Sequence, residues 1–180
     1  MKTTSAIKLA IFILLLLPTP TWALDGVSIA GGSNLDAHTK NIDFLQISVR
    51  DSFDGRWFES DAGSVRTSWD ASITRWNPQS HENWVGAVGV AARYQFSSHG
   101  TWAPYLEYGL GGALISNLRV TDNRRFSTHF QFSNRLEMGI RYGQDMENEL
   151  GLALWHYSNA FIKEPNPGVD YISLRYTRRF

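Results

Sequence analysis

Cysteine is absent from all 180 residues, which excludes a disulfide framework, thiolate chemistry and lipoprotein attachment. A charge excess of one sign is also missing. The chain sets 17 basic against 17 acidic residues, so it lacks the basic surplus that phosphate backbones demand, and no nucleic acid is expected as a partner. Long hydrophobic runs are missing too: the clearest, Leu9 to Leu17, falls well short of the roughly 20 residues an α-helical span needs. Histidines at 38, 81, 99 and 129 are too dispersed to form a ligand set, so neither a metal nor another cofactor is expected.

The one apolar run has its own explanation. Lys2 and Lys8 precede its core, and Thr21-Trp22-Ala23 supplies small residues where a signal peptidase would cut, so residues 1–23 read as a signal peptide and Leu24 as the start of the mature chain. Removing the two lysines leaves 15 basic against 17 acidic residues, a formal charge of −2. Residues 24–180 are one domain by size.

What this domain does have is aromatic residues and alternation. The full chain carries 7 Trp, 7 Tyr and 10 Phe. From Phe130 to Tyr142 a strict two-residue period sets Phe130, Phe132, Leu136, Met138, Ile140 and Tyr142 against Gln131, Ser133, Arg135, Glu137, Gly139 and Arg141, broken only by Asn134. The same period recurs around Val27–Ser33, Leu45–Arg50, Val65–Thr74, Asn83–Phe96, Trp102–Leu114, Leu150–Ser158 and Tyr171–Phe180. That makes eight strands, the smallest size of a bacterial transmembrane barrel.

The fold expected is therefore all-β, an eight-stranded antiparallel transmembrane β-barrel in the bacterial outer membrane. Its apolar faces meet lipid, and Arg50, Asp70, Arg93, Glu107, Arg135, Glu137 and Arg141 pair inside a packed lumen too narrow for a water-filled pore. A soluble lipocalin-like barrel would need the reverse polarity. With an even strand number both termini are periplasmic, and residues 159–170 face outward. The segment from Ser52 to Ser64 is long for a periplasmic turn.

One stretch carries chemistry. His156 and Ser158 share a face with Leu150, Leu152 and Leu154, and Asp170 has the parity of Ile172 and Leu174 on the following strand. A base, a nucleophile and an orienting acid thus share the lipid-facing surface near the outer leaflet. The Asn159 amide and the Phe161 backbone N–H are candidate donors to an oxyanion. The same residues also fit a purely structural reading, with His156 and Tyr157 in the interfacial girdle and Pro165-Asn166-Pro167-Gly168 as a turn.

The run His156-Tyr157-Ser158-Asn159-Ala160, then Pro165 to Gly168, then an acid at 170, resembles the signature of the PagL family of lipid A 3-O-deacylases. The specific likeness covers residues 156–170. It implies an eight-stranded outer-membrane barrel with a Ser-His-Glu triad on its outer wall that removes an ester-linked 3-hydroxyacyl chain from lipid A. Ser158 is then the nucleophile, His156 the base and Asp170 the orienting acid. Asn159 and the Phe161 backbone match the oxyanion donors, and Asn166 a supporting loop residue. Two positions depart from the pattern, since Asp170 replaces glutamate and Phe161 replaces glycine. The partner implied is lipopolysaccharide in the outer leaflet, with Lys40, Arg124, Arg125 and Lys163 near its phosphates. The sequence leaves the oligomeric state open, a homodimer included. Two rival functions stand beside this one: a non-enzymatic adhesin or structural barrel, and an outer-membrane phospholipase or esterase.

Overall fold

The structure is a computed structural model and describes residues 24–35, 42–77, 82–122 and 124–180. The expected signal peptide lies outside them, as do His38, Lys40 and His81.

Among the described residues eleven strands follow in chain order: β1 (Gly26–Asn34), β2 (Asp43–Ser52), β3 (Trp57–Ser60), β4 (Gly63–Asn77), β5 (Asn83–Phe96), β6 (Trp102–Ile115), β7 (Arg119–Thr121), β8 (Arg124–Arg125), β9 (Phe130–Tyr142), β10 (Asn148–Ser158) and β11 (Val169–Arg179). Eight of them close the barrel, each antiparallel to its neighbours, in the order β1, β2, β4, β5, β6, β9, β10, β11 and back to β1. Closure leaves none of these eight described wall strands with an unpaired edge, so their backbone polar groups are satisfied within the wall, as a bilayer requires. Gly26 pairs with Arg179 at the end that holds both termini.

The long Ser52–Ser64 segment is more than a turn. β3 pairs with the start of β4, Trp57 opposite Val65 and Ser60 opposite Gly63, so it prolongs the edge that β2 occupies farther up the same strand. β7 and β8 form a small separate ribbon at the opposite end.

The two faces have the polarity expected of a membrane barrel. Outside, Ile47, Ile73, Val88, Val90, Leu136, Met138, Leu152 and Leu174 are exposed. Inside, Glu107 accepts hydrogen bonds from Arg50 at 2.9 Å, from Arg93 at 2.7 Å and from Arg135. Arg93 also grips Glu149 with both terminal nitrogens, at 2.7 and 2.9 Å. Asp70 meets Arg135 at 3.0 Å, and Glu137 accepts from the Tyr105 hydroxyl at 2.6 Å and from Arg175 at 3.3 Å. Paired charges of this kind fill the lumen, and each would be costly to leave alone. Arg141 stands apart from these pairs; its Nε donates to the Met146 carbonyl near the terminal end. Glu149 and Arg175 belong to the network although the sequence reading passed over them.

Above the charges, toward the end away from the termini, the lumen turns aromatic. Trp76 meets Tyr157 edge-on with centroids 5.4 Å apart, Phe44 meets Tyr171 at 5.1 Å, and Trp155 stacks on Tyr157 at 6.1 Å. Such pairs contribute about 0.5–1.5 kcal/mol each beyond burial. They fix the inner faces of β10 and β11 at the level where the outer faces carry His156, Ser158 and Asp170.

Candidate active site

Strand alternation decides which side chains reach the outer wall. Trp155, Tyr157 and Tyr171 point into the buried aromatic cluster, so His156, Ser158 and Asp170 point out. Register then sets the reach: His156 lies directly opposite Asp170, a cross-strand neighbour whose Cβ is about 5 Å away. Asp170 Oδ1 is 2.7 Å from His156 Nδ1, and His156 Nε2 is 2.9 Å from Ser158 Oγ. Aspartate is long enough for this contact because the two residues face each other across one strand pair. The His156 and Asp170 side chains are 46% and 58% exposed, so the chain of hydrogen bonds opens onto the outer wall and away from the lumen.

Chemically, this is a serine with a base beside it and an acid behind the base. With Nδ1–H donated to the carboxylate, Nε2 is the tautomer's free lone pair and accepts the serine hydroxyl proton.

The loop after Ser158 is built to hold a shape. Ala160 and Phe161 both have left-handed backbones, with φ of 52° and 59°, a conformation that costs a side-chain-bearing residue about 1–2 kcal/mol. A glycine at 161 would adopt it freely. Phe161 is 75% exposed. Among the described residues neither the Ala160 nor the Phe161 N–H has a hydrogen-bond acceptor, which leaves two unspent donors within three residues of Ser158.

Asn159 departs from its expected place as an amide donor to an oxyanion. It is 1% exposed, and its Nδ2 is spent on Ser127 Oγ at 2.9 Å and on the Lys163 carbonyl at 2.7 Å. Its backbone N–H donates to Asn166 Oδ1 at 3.0 Å. Asn159 and Asn166 therefore brace the loop, and Ser127 ties it to the neighbouring loop by donating to the Lys163 carbonyl at 2.6 Å. The sequence reading missed Ser127, which no local pattern marks. It also took Gly168 only as a turn residue; with φ of 59° it packs so closely that an added Cβ would lie 3.2 Å from His156 Cε1.

His99 packs on Trp102 at 5.3 Å and His129 Nδ1 bonds the Ile115 carbonyl at 2.7 Å. Arg124 and Arg125 form the β8 ribbon, and Lys163 is exposed in the loop after Ser158.

A family model described as Lipid A 3-O-deacylase (PagL) matches residues 44–179. The chain belongs to the PagL family. Lipid A deacylase PagL of Pseudomonas aeruginosa is 28% identical over 125 residues, 69% of this chain and 70% of that protein. The protein of the same name from Bordetella bronchiseptica is 40% identical over 76 residues, 42% of this chain and 41% of its own length. The crystal structure of the outer membrane enzyme PagL superposes with a TM-score of 0.77 at 25% identity, covering 86% of this chain and 99% of the other. The family is one of outer-membrane barrels, and this chain is an outer-membrane barrel of that kind.

Proposed function

We propose that this PagL-family barrel is a lipid A 3-O-deacylase with Ser158 as nucleophile, His156 as general base and acid, and Asp170 as the acid that orients His156. The observation that supports these roles best is the unbroken line from Asp170 Oδ1 through both imidazole nitrogens to Ser158 Oγ, at 2.7 and 2.9 Å. In the forward step Nε2 takes the hydroxyl proton while Oγ attacks the carbonyl of the ester-linked 3-hydroxyacyl chain at the 3-position. The oxyanion of the tetrahedral intermediate accepts from the backbone N–H of Phe161, with Ala160 N–H beside it. Collapse returns the proton from Nε2 to the sugar oxygen, which leaves as the 3-hydroxyl. Water, deprotonated by the same Nε2, then hydrolyses the acyl-serine and releases the fatty acid.

The position suits a substrate that never leaves the membrane. Below the three groups the wall is apolar, with Leu154, Leu152 and Leu174 exposed to lipid, so an acyl chain stays in hydrocarbon while its ester meets the serine. Lys163, exposed in the loop after Ser158, would pair with an anionic head group. All groups invoked come from one chain, so the reaction does not call for the homodimer.

The test is expression in a Gram-negative host beside a Ser158→Ala variant, with both shown to reach the outer membrane. Mass spectrometry of lipid A should find one hydroxyacyl group missing only where the serine is intact. Unchanged lipid A in both, with lysophospholipid appearing instead, would move the activity to phospholipids; no product of either kind would leave a barrel without this chemistry.

A further inference from the structure

Asn134 interrupts an otherwise apolar outward row on β9, and the interruption falls beside the site. Its cross-strand partner on β10 is His156. The rung above pairs Phe132 with Ser158, and the three rungs below pair Leu136 with Leu154, Met138 with Leu152 and Ile140 with Leu150. One polar rung therefore separates the serine from a lane of three apolar rungs. On the other flank of His156 the rung is already closed, because Asp170 is bonded to the imidazole.

The amide at this rung is oriented. The Tyr108 hydroxyl, reaching up the wall from β6, donates to Asn134 Oδ1 at 2.9 Å. With the carbonyl oxygen engaged, the Nδ2 group is left, and among the described residues it donates to nothing. An unused donor on a lipid-facing wall is costly, unless the molecule that lies against the wall brings an acceptor.

We infer that Asn134 is a specificity-determining residue whose Nδ2 donates to the 3-hydroxyl of the acyl chain being removed; this rests on the deacylase reading above. Distances along the lane favour that oxygen. Successive outward rungs are about 7 Å apart, while carbon 3 of an acyl chain lies only about 2.5 Å beyond its carbonyl carbon. With the carbonyl at Ser158 and the tail descending the apolar rungs, the hydroxyl falls between the serine rung and the Asn134 rung, within reach of the amide. Tyr108 acts through Asn134 and is a positioning residue.

The experiment uses the full barrel in detergent with two synthetic lipid A substrates that differ only at the 3-position ester, one carrying a 3-hydroxytetradecanoyl and the other a tetradecanoyl chain. The readout is the ratio of their kcat/KM values. Asn134→Leu, which restores an apolar wall and should fold, is expected to lower kcat/KM on the hydroxylated ester roughly tenfold and leave the plain ester unchanged. Tyr108→Phe keeps the amide but frees its orientation, and should lower the ratio by about threefold. An equal fall on both esters would overturn the inference by making Asn134 a support for His156. An unchanged ratio would overturn it by leaving Asn134 as nothing more than a partner for Tyr108. A native protein inactive on both substrates would remove the deacylase reading and this inference with it, whereas activity on both with no effect of either variant would remove the inference alone.

Discussion

Replacing Asp170 with alanine isolates what the acid contributes, because only one strong contact is lost. In the resting state the carboxylate oxygen lies 2.7 Å from His156 Nδ1; in the proposed transition state the ring becomes an imidazolium and the same contact becomes an ion pair. Charges about 4 Å apart attract by about 1 kcal/mol in water and about 4 kcal/mol at an effective permittivity near 20. The side chains are 46% and 58% exposed, so the value lies between, at about 2–3 kcal/mol. That converts to a fall in kcat of about 30- to 160-fold. KM should move little, since the interaction strengthens only as charge develops. Asp170→Glu should fall within about threefold of the native enzyme, because the facing register already gives the shorter side chain a full hydrogen bond. The assay is a time course of lipid A deacylation in detergent at saturating lipid, read by mass spectrometry, with heat-modifiable mobility as the control for folding. If Asp170→Ala keeps kcat within about twofold, the acid does not orient His156 and its role is lost.

Three other perturbations follow from the geometry. Glu107→Ala would leave Arg50, Arg93 and Arg135 without their shared acceptor and should destabilise the barrel by about 3–5 kcal/mol; urea unfolding from vesicles, followed by tryptophan fluorescence, would refute this with a change below about 1 kcal/mol. Gly168→Ala forces a side chain into a left-handed backbone and to 3.2 Å from His156 Cε1; displacement of the ring should lower kcat by about tenfold, and undiminished turnover would show that the ring is held by Asp170 alone. Phe161→Gly keeps the N–H and relieves about 1 kcal/mol of backbone strain, so kcat should stay within about twofold, while a large loss would mean that the exposed ring itself meets the substrate.

Period-two polarity made the wall legible, because lipid and lumen demand opposite side chains at alternate residues and no loop does. Glu149 and Arg175 show that the rule had more to give: each has the inward parity of its strand, opposite to Leu150 and Leu174, yet each stands alone among small or aromatic neighbours. β3 was not readable as a strand, since Trp57 to Ser60 are all exposed and its four residues carry no polar alternation. The same contrast divides the site. Parity puts His156, Ser158 and Asp170 on one face, and their hydrogen bonds then depend only on register. Asn159 is different, because the direction of its amide depends on Ser127, which lies 32 residues earlier and in another loop.

This division bears on how the site keeps its geometry. The three polar groups ride on strands in the closed wall, and their inward neighbours Trp155, Tyr157 and Tyr171 are locked in aromatic contacts, so lipid motion outside cannot easily turn the strands that carry them. The donors at Ala160 and Phe161 have no such backing. They are held by the loop alone, through Asn159, Asn166 and Ser127. With the proposed serine and base held by the barrel and the proposed oxyanion donors held by a braced loop, the more fragile half of the proposed chemistry lies where the backbone is left-handed. Loosening the brace should therefore weaken transition-state binding before it disturbs the hydrogen bonds between His156, Ser158 and Asp170.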